Sequence, residues 1–369
     1  MRAPSPPPEI ADARVAFEAA RTRSDGTNGA EPRASVLVAA LDDRPSLRDL
    51  LQITRPQADG LDAEIVLVLN GPESSLSATR RRELEAVCDR VVFEPRRGKS
   101  HALNRGIECS RGEVIAFTDD DTLPRPGWLE SILRRLLDSA RDADLVAVGG
   151  PVVPVFDPDV PEWFRRVVLS RPSHYLGPRH EHGDQPRDYP FSDSPLGGVP
   201  FGANFAARRE VFETLSYPTD LGPSPLTGLR GGEDTVLERW ILARGLRILY
   251  EPRAIVLHPV LPERATLSFA MAASRAHGRE SVIARRHLEL PAPGLGRLAG
   301  SRIGARRGSL RGHGPGSHRR RAGGAGNPYR FLALADLDFV DAGFFQQLDE
   351  TLDLADIHEA SVSVFRGAL

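Results

Sequence analysis

Between residues 34 and 149 short apolar runs alternate with segments of helical periodicity, and this alternation limits the fold more than any other feature of the chain. The pattern predicts strands at Ser35–Leu41, Glu64–Leu69, Val91–Glu94, Val114–Thr118 and Leu145–Val148. It predicts helices at Ser46–Ile53, Ser77–Cys88, Ser100–Cys109 and Pro126–Ser139, the last opening on a proline that suits a first helical turn. Strands that each return through a helix build a mostly parallel central sheet flanked by helices, an α/β class. In such sheets ligands bind beyond the carboxyl ends of the strands.

One of those ends carries Asp119, Asp120 and Asp121 in succession. Clustered carboxylates repel one another unless a cation or a strong donor lies between them. Hard oxygen ligands suit Mg²⁺ or Mn²⁺, and such ions bind phosphate oxygens in turn. A solvated acidic turn is the plainer reading of three aspartates. A calcium loop fits poorly, because its sixth place needs a glycine and counting from Asp119 reaches Pro124.

Beyond residue 150 the pattern loosens. Residues 150–200 read as loops with a short helix near Pro161–Leu169. Helices are expected at Arg208–Leu215, Thr235–Arg244 and Ala265–Leu288, with Gly245 stopping the second of them. Strands are expected at Arg247–Tyr250 and Ala254–Leu257, the latter ending at His258. Residues 1–33 read as a flexible arm with a short helix across Ile10–Arg21. Residues 296–327 hold eight arginines, ten glycines and no acid, a composition that buries too little apolar surface to order itself. We therefore expect a disordered basic linker over 291–327, with contact to anionic lipid as its functional alternative, and a small helical tail over 328–369.

Bulk properties exclude several classes. A formal net charge of −2 supplies no basic field to attract nucleic acid. Two cysteines, Cys88 and Cys109, argue against a disulfide framework and for a reducing compartment. No run of about 18 apolar residues is present, so no membrane-spanning helix is expected, and the proline-rich stretch Met1–Pro8 does not read as a signal peptide. Lys99 is the only lysine in the chain.

Five segments in order resemble the family 2 glycosyltransferases, which have the Rossmann-like GT-A fold. They are Ser35–Leu41, Arg97–Gly106 with its Gly-Lys and Asn-x-Gly elements, Gly112–Asp121 ending in an Asp-x-Asp motif, Gly202–Arg208, and Gly232-Glu233-Asp234 followed by Gly245 and Tyr250–Ala254. The resemblance covers roughly residues 34–280. It implies one catalytic domain over 34–290, divided into a nucleotide-binding half (34–150) and an acceptor-binding half (151–290). It also implies a nucleotide-sugar donor and a divalent cation, Mn²⁺ or Mg²⁺.

Residue roles follow from that resemblance. Asp121 is expected to ligate the metal, with Asp119 at the metal or the ribose and Asp120 as a helper near the donor. His258 matches a further metal ligand, although a strand-end histidine satisfied by backbone is an equal reading. Asp234 is expected to be the catalytic base, with Glu233 orienting the acceptor or its neighbour, and a plain helix N-cap is the alternative for Asp234. Arg97, Lys99 and Asn70 are expected at the donor nucleotide, and Gly202, Asn204 and Trp163 at the acceptor. Trp128 and Trp240 read as core. A single base and no nucleophile imply direct displacement with inversion.

The chain departs from the family pattern at Leu69, where relatives commonly carry a base-binding aspartate, so Asp42 or Asp43 is expected to take over that contact. UDP is the first choice of nucleotide, with GDP and dTDP open. The processive synthases' Gln-x-x-Arg-Trp motif is missing, so transfer of a single sugar is expected. The acceptor is expected to be a glycan or lipid-linked molecule of the bacterial cell envelope, reached from the cytoplasm or the inner membrane face. Two other functions stay open: a binding protein of the same fold, and a metal-dependent nucleotidyltransferase.

Overall fold

The structure is a computed structural model that describes residues 32–73, 76–137 and 142–290. The expected linker over 291–327, the tail over 328–369 and nearly all of the N-terminal arm lie outside the described residues. The first half follows the predicted alternation: β1 (Ala34–Ala40), α1 (Pro45–Asp59), β2 (Ala63–Leu69), α2 (Ala78–Glu85), β3 (Arg90–Phe93), α3 (Lys99–Cys109), β4 (Val114–Asp119), a two-residue β5 (Leu123–Pro124), α4 (Trp128–Leu136) and β6 (Leu145–Gly149). Strand β1 pairs in parallel with β2 on one side and β4 on the other. Its seven residues are almost wholly buried, as a strand covered by helices on both faces must be.

Side chains divide by the period of two along each strand. Val36, Val38, Ile65 and Leu67 pack beneath α1 and α4, with Leu47, Leu50, Trp128 and Ile132. Leu37, Ile115 and Phe117 point the other way, toward Leu103 of α3. Helix α1 begins with a proline in its first turn and runs six residues beyond its expected end at Ile53, because Leu50, Leu51, Thr54 and Ala58 keep one face buried.

The second half adds β7 (Val152–Phe156), α5 (Glu162–Leu169), the short β8 (Ser173–His174), β9 (Arg179–His180) and β10 (Arg187–Asp188), β11 (Asn204–Arg208), α6 (Glu233–Ala243), β12 (Arg247–Tyr250), β13 (Val256–Val260) and α7 (Leu267–His287). Strands β10-β12-β6-β11-β4-β1-β2-β3 form one eight-stranded sheet, and β5-β13-β7-β9-β8 a second of five. In the large sheet β11 runs antiparallel to both of its neighbours, β4 and β6.

Two expectations need correction here. The helix expected over Arg208–Leu215 is instead the end of β11 followed by a 3-10 turn over Arg209–Glu213. Locally Phe205-Ala206-Ala207 has weak strand character, but burial between β4 and β6 overrides it. His258 does not end its strand. It lies at the centre of β13, which pairs in parallel with β7 through Val260.

Candidate active site

The carboxyl ends of β1, β2 and β4 and the first turns of α3 and α6 contribute to one site. Strand β2 is followed by Asn70, which is buried. Its Oδ1 accepts the Gly98 amide at 2.8 Å, and its Nδ2 donates to the Glu94 and Arg96 carbonyls at 3.1 and 2.7 Å. Asn70 thus shapes the loop that opens α3, and its side chain is spent on backbone. Gly98 has a φ of 132°, which only glycine adopts readily. The Arg97 guanidinium donates to the Asn70 carbonyl at 3.0 Å.

Next in the chain, the Lys99 ammonium meets the Asp119 carboxylate at the end of β4. Burial opposes the charge on Lys99, but Asp119, Glu233 and Asp234 together raise its pKa. Against its own burial, Asp119 is held below the usual carboxylate range, chiefly by Lys99. Among the described residues Asp120 has no such partner: burial first, then the charges of Asp121 and Asp119, push it up to about 7.

Asp121 meets different groups. Arg264, at the end of a 3-10 turn over Pro262–Arg264, donates to its Oδ2 at 3.0 Å. His258 Nε2 lies 3.5 Å from its Oδ1. His258 Nδ1 is 3.0 Å from the Pro259 carbonyl, which can only accept, so Nδ1 carries a hydrogen. Nε2 and the carboxylate oxygen then face each other, and a shared proton or a cation between them would relieve that approach. Carboxylate and imidazole therefore fit a divalent ion at this point. Asp119, expected to be a further ligand, is engaged by Lys99, and among the described residues no group of three His, Cys, Asp or Glu side chains converges on one ion.

Helix α6 brings the second set of acids. Gly232 (φ 90°) is its N-cap and makes no side-chain cap, so the capping role considered for Asp234 falls to a glycine. Asp234 lies in the first turn. Its Oδ1 accepts the Thr235 amide at 2.7 Å and its Oδ2 the Gly202 amide at 3.0 Å. Gly202 permits this approach, since a Cβ there would stand 3.1 Å from Asp234 Oδ2. Glu233, expected to orient the acceptor, is instead buried at 4 % exposure. Burial first, then Asp234, push its carboxyl up to about 8, and its Oε2 has no hydrogen-bond partner among the described residues. One turn further on, Glu238 is fully buried and raised well above the ordinary range, by burial and by both neighbouring acids.

The two acidic groups are tied together through α3. Asn104 exchanges two 2.9 Å hydrogen bonds with the backbone of Tyr217, Ser100 donates to the Leu221 carbonyl at 2.8 Å, and the Lys99 amide donates to the Pro223 carbonyl at 3.0 Å. These bonds anchor the connection that leads to Gly232 and Asp234.

Other expected site residues are placed elsewhere. Asn204 is buried inside the sheet, with Oδ1 accepting from Trp128 Nε1 at 2.9 Å and Nδ2 donating to the Pro151 and Ala254 carbonyls at 2.8 and 2.7 Å. It therefore holds β11 in place and does not face an acceptor. Trp163 is buried among Val160, Phe164, Leu176 and Val260, so its faces are not open to a sugar. Asp43 is gripped by Nε and Nη2 of the Arg80 guanidinium, whereas Asp42 stays on the exposed rim, bonded to Arg44 at 2.7 Å. Arg264 escaped the sequence reading, because nothing in Leu261-Pro262-Glu263-Arg264 sets that arginine apart from the many others in the chain. A cavity of about 200 Å³ between α1 and α2, lined by Arg48, Leu51, Gln52, Arg80 and Leu84, contains none of the acids described above.

Comparison with known proteins points to one family. The chain is 28% identical over 208 residues to the glucosyl-dolichyl phosphate glucuronosyltransferase of Haloferax volcanii, covering 54% of this chain and 60% of that protein. It is 28% identical over 253 residues to the succinoglycan biosynthesis protein ExoM of Rhizobium meliloti, covering 67% and 65%. The chain thus spans less than two thirds of either relative. Among solved structures, the mannosyltransferase PcManGT from Pyrobaculum calidifontis in complex with GDP-Man and Mn²⁺ overlaps with a TM-score of 0.45 and 22% identity, covering 77% of this chain and 76% of that one. Such a loose overlap transfers no ligand to this chain. Residues 35–216, which run from β1 through the acidic end of β4 to the turn after β11, match the model of glycosyl transferase family 2.

Proposed function

We propose that this chain is a metal-dependent, inverting glycosyltransferase that moves one sugar from a nucleotide-diphosphate donor to a hydroxyl acceptor. The observation that supports this most is one ammonium that meets the first acidic group and lies in the field of the second. Lys99 joins the Asp119–Asp121 end of β4, and it lies in the field of Asp234, which Gly202 holds by its amide.

In this reading Asp234 accepts the proton of the attacking hydroxyl while the diphosphate departs from the opposite face of the sugar, so the anomeric configuration inverts. Asp121 and His258 hold the divalent ion, with Asp119 reaching it or the ribose. When bound, that ion supplies positive charge to the leaving diphosphate oxygens. Lys99 and Arg97 stand at the same edge to meet phosphate. Asp42, exposed at the rim beside Arg44, is the more accessible of the two to the nucleotide base. UDP is the first choice, with GDP and dTDP the alternatives to test. Relatives named as a glucosyl-dolichyl phosphate glucuronosyltransferase and a succinoglycan biosynthesis protein support a lipid-linked or envelope glycan acceptor. No helix among the described residues is long and apolar enough to cross a membrane, and we place the reaction in the cytoplasm or at the inner membrane face.

The test is Asp234→Asn. Nucleoside diphosphate affinity should persist while sugar transfer falls by roughly 10²–10⁴-fold. Transfer at the wild-type rate would remove Asp234 from the mechanism. A wild-type protein that binds nucleotide sugars yet never releases nucleoside diphosphate would favour a binding protein, and release of pyrophosphate a nucleotidyltransferase.

A further inference from the structure

We propose that Arg264 is a ligand for the donor's diphosphate, held on Asp121 until metal and diphosphate arrive together. The inference rests on the reading of Asp121 as a metal ligand given above.

Both outer carboxylates of the acidic motif already carry a cation: Lys99 is on Asp119 and Arg264 on Asp121. The two cations are not equivalent. Lys99 is fixed at the start of a helix, and the connection beside it is anchored by Asn70 and Ser100. Arg264 sits on the turn between β13 and α7, six residues after His258, with its side chain 35% exposed against 19% for Lys99. Of the two, Arg264 is the freer to move. Arg44, bonded to Asp42, adds a further positive charge within the field of Asp120 and Asp121.

A divalent ion that arrives alone therefore meets a carboxylate already neutralised and a cation beside it, so Arg264 competes with it. A divalent ion that arrives with diphosphate brings anionic oxygens of its own. A guanidinium presents paired N–H donors that match phosphate oxygens, so Arg264 can leave Asp121 for the diphosphate and free Asp121 for the metal. The same arginine then opposes binding of metal alone and favours binding of metal with diphosphate. This is a positive coupling between two ligands, reciprocal by linkage.

The experiment measures Mn²⁺ binding to the full chain by electron paramagnetic resonance, with and without inorganic pyrophosphate. Wild-type protein should bind Mn²⁺ weakly alone and more tightly with pyrophosphate. In Arg264→Gln, Mn²⁺ alone should bind roughly three- to tenfold tighter, and the gain from pyrophosphate should shrink by a similar factor. Arg264→Lys, which keeps the charge but loses the paired donors, should retain weak binding of Mn²⁺ alone while losing part of the coupling. Arg264→Gln that binds Mn²⁺ no better than wild type, or that keeps the full pyrophosphate effect, would overturn the assignment while leaving the metal site intact. Failure of both proteins to bind Mn²⁺ under either condition would overturn the metal site and this inference together. Thermal unfolding of each variant, compared with wild type, confirms that the differences arise in folded protein.

Discussion

Gly202→Ala tests the placement of Asp234 without touching any charge. Gly202 lacks the positive φ found at eight other glycines among the described residues, so alanine adopts its backbone without strain. The added Cβ would lie 3.1 Å from Asp234 Oδ2 and 3.2 Å from its Cβ, so the neighbour must give by a few tenths of an ångström. Asp234 is also bonded to the Thr235 amide at 2.7 Å and sits on the first turn of α6, so it cannot retreat freely. Displacing a reacting group by 1 Å can cost about a hundredfold in rate, and a shift of a few tenths should cost roughly three- to tenfold. Stability should change by no more than about 1 kcal/mol, because the overlap falls on one half-buried side chain. The assay is steady-state release of nucleoside diphosphate from the donor, paired with a titration of the nucleotide alone. The expected result is a lower kcat, unchanged nucleotide affinity and a melting temperature within a few degrees of wild type. Full activity would show that the Gly202–Asp234 contact does not set the geometry of the reaction. Loss of nucleotide affinity with unchanged kcat would place Asp234 on the donor side.

Two further outcomes follow from the buried polar groups. Glu233 is raised from the ordinary 4.5 to about 8 in the folded protein. Between those values the folded state keeps a proton that the unfolded state has lost, so stability falls as pH rises, by at most about 1.4 kcal/mol per pH unit. Glu233→Gln removes that slope, and its melting temperature should gain on wild type from pH 5 to pH 8; parallel curves would refute the raised carboxyl. Asn204→Ala strands the Trp128 indole N–H and the Pro151 and Ala254 carbonyls inside the sheet. Chemical denaturation should show a loss of roughly 2–4 kcal/mol, and an unperturbed midpoint would mean that water repairs the gap.

The parallel half of the fold was legible because its evidence is local. The strands β1, β2, β4 and β6 are short apolar runs buried on both faces, and each intervening helix has its own periodicity. The acids Asp119, Asp121 and Asp234 were singled out by the family motifs they resemble, because an aspartate at a helix start is common on its own. What escaped the reading depends on contacts distant in sequence. β11 is a strand only because β4 and β6 flank it. Asn204 and Trp163 carry side chains suited to sugar binding, yet the fold spends both on its interior. Asp43 is committed by Arg80, 37 residues away. Arg264 meets Asp121 across 143 positions, a separation at which no pattern in the chain gives warning.

The antiparallel strand β11 has a mechanical consequence. It is laced to β4 on one edge and β6 on the other, and Asn204 pins its first residue to the segments beside α4 and β13. Asp119 at the end of β4 and the helix α6 that carries Asp234 are therefore backed by one continuous eight-stranded sheet among the described residues. If the proposed transfer holds, any opening for substrates falls to the connections around that sheet, and the turn bearing Arg264 is one of them.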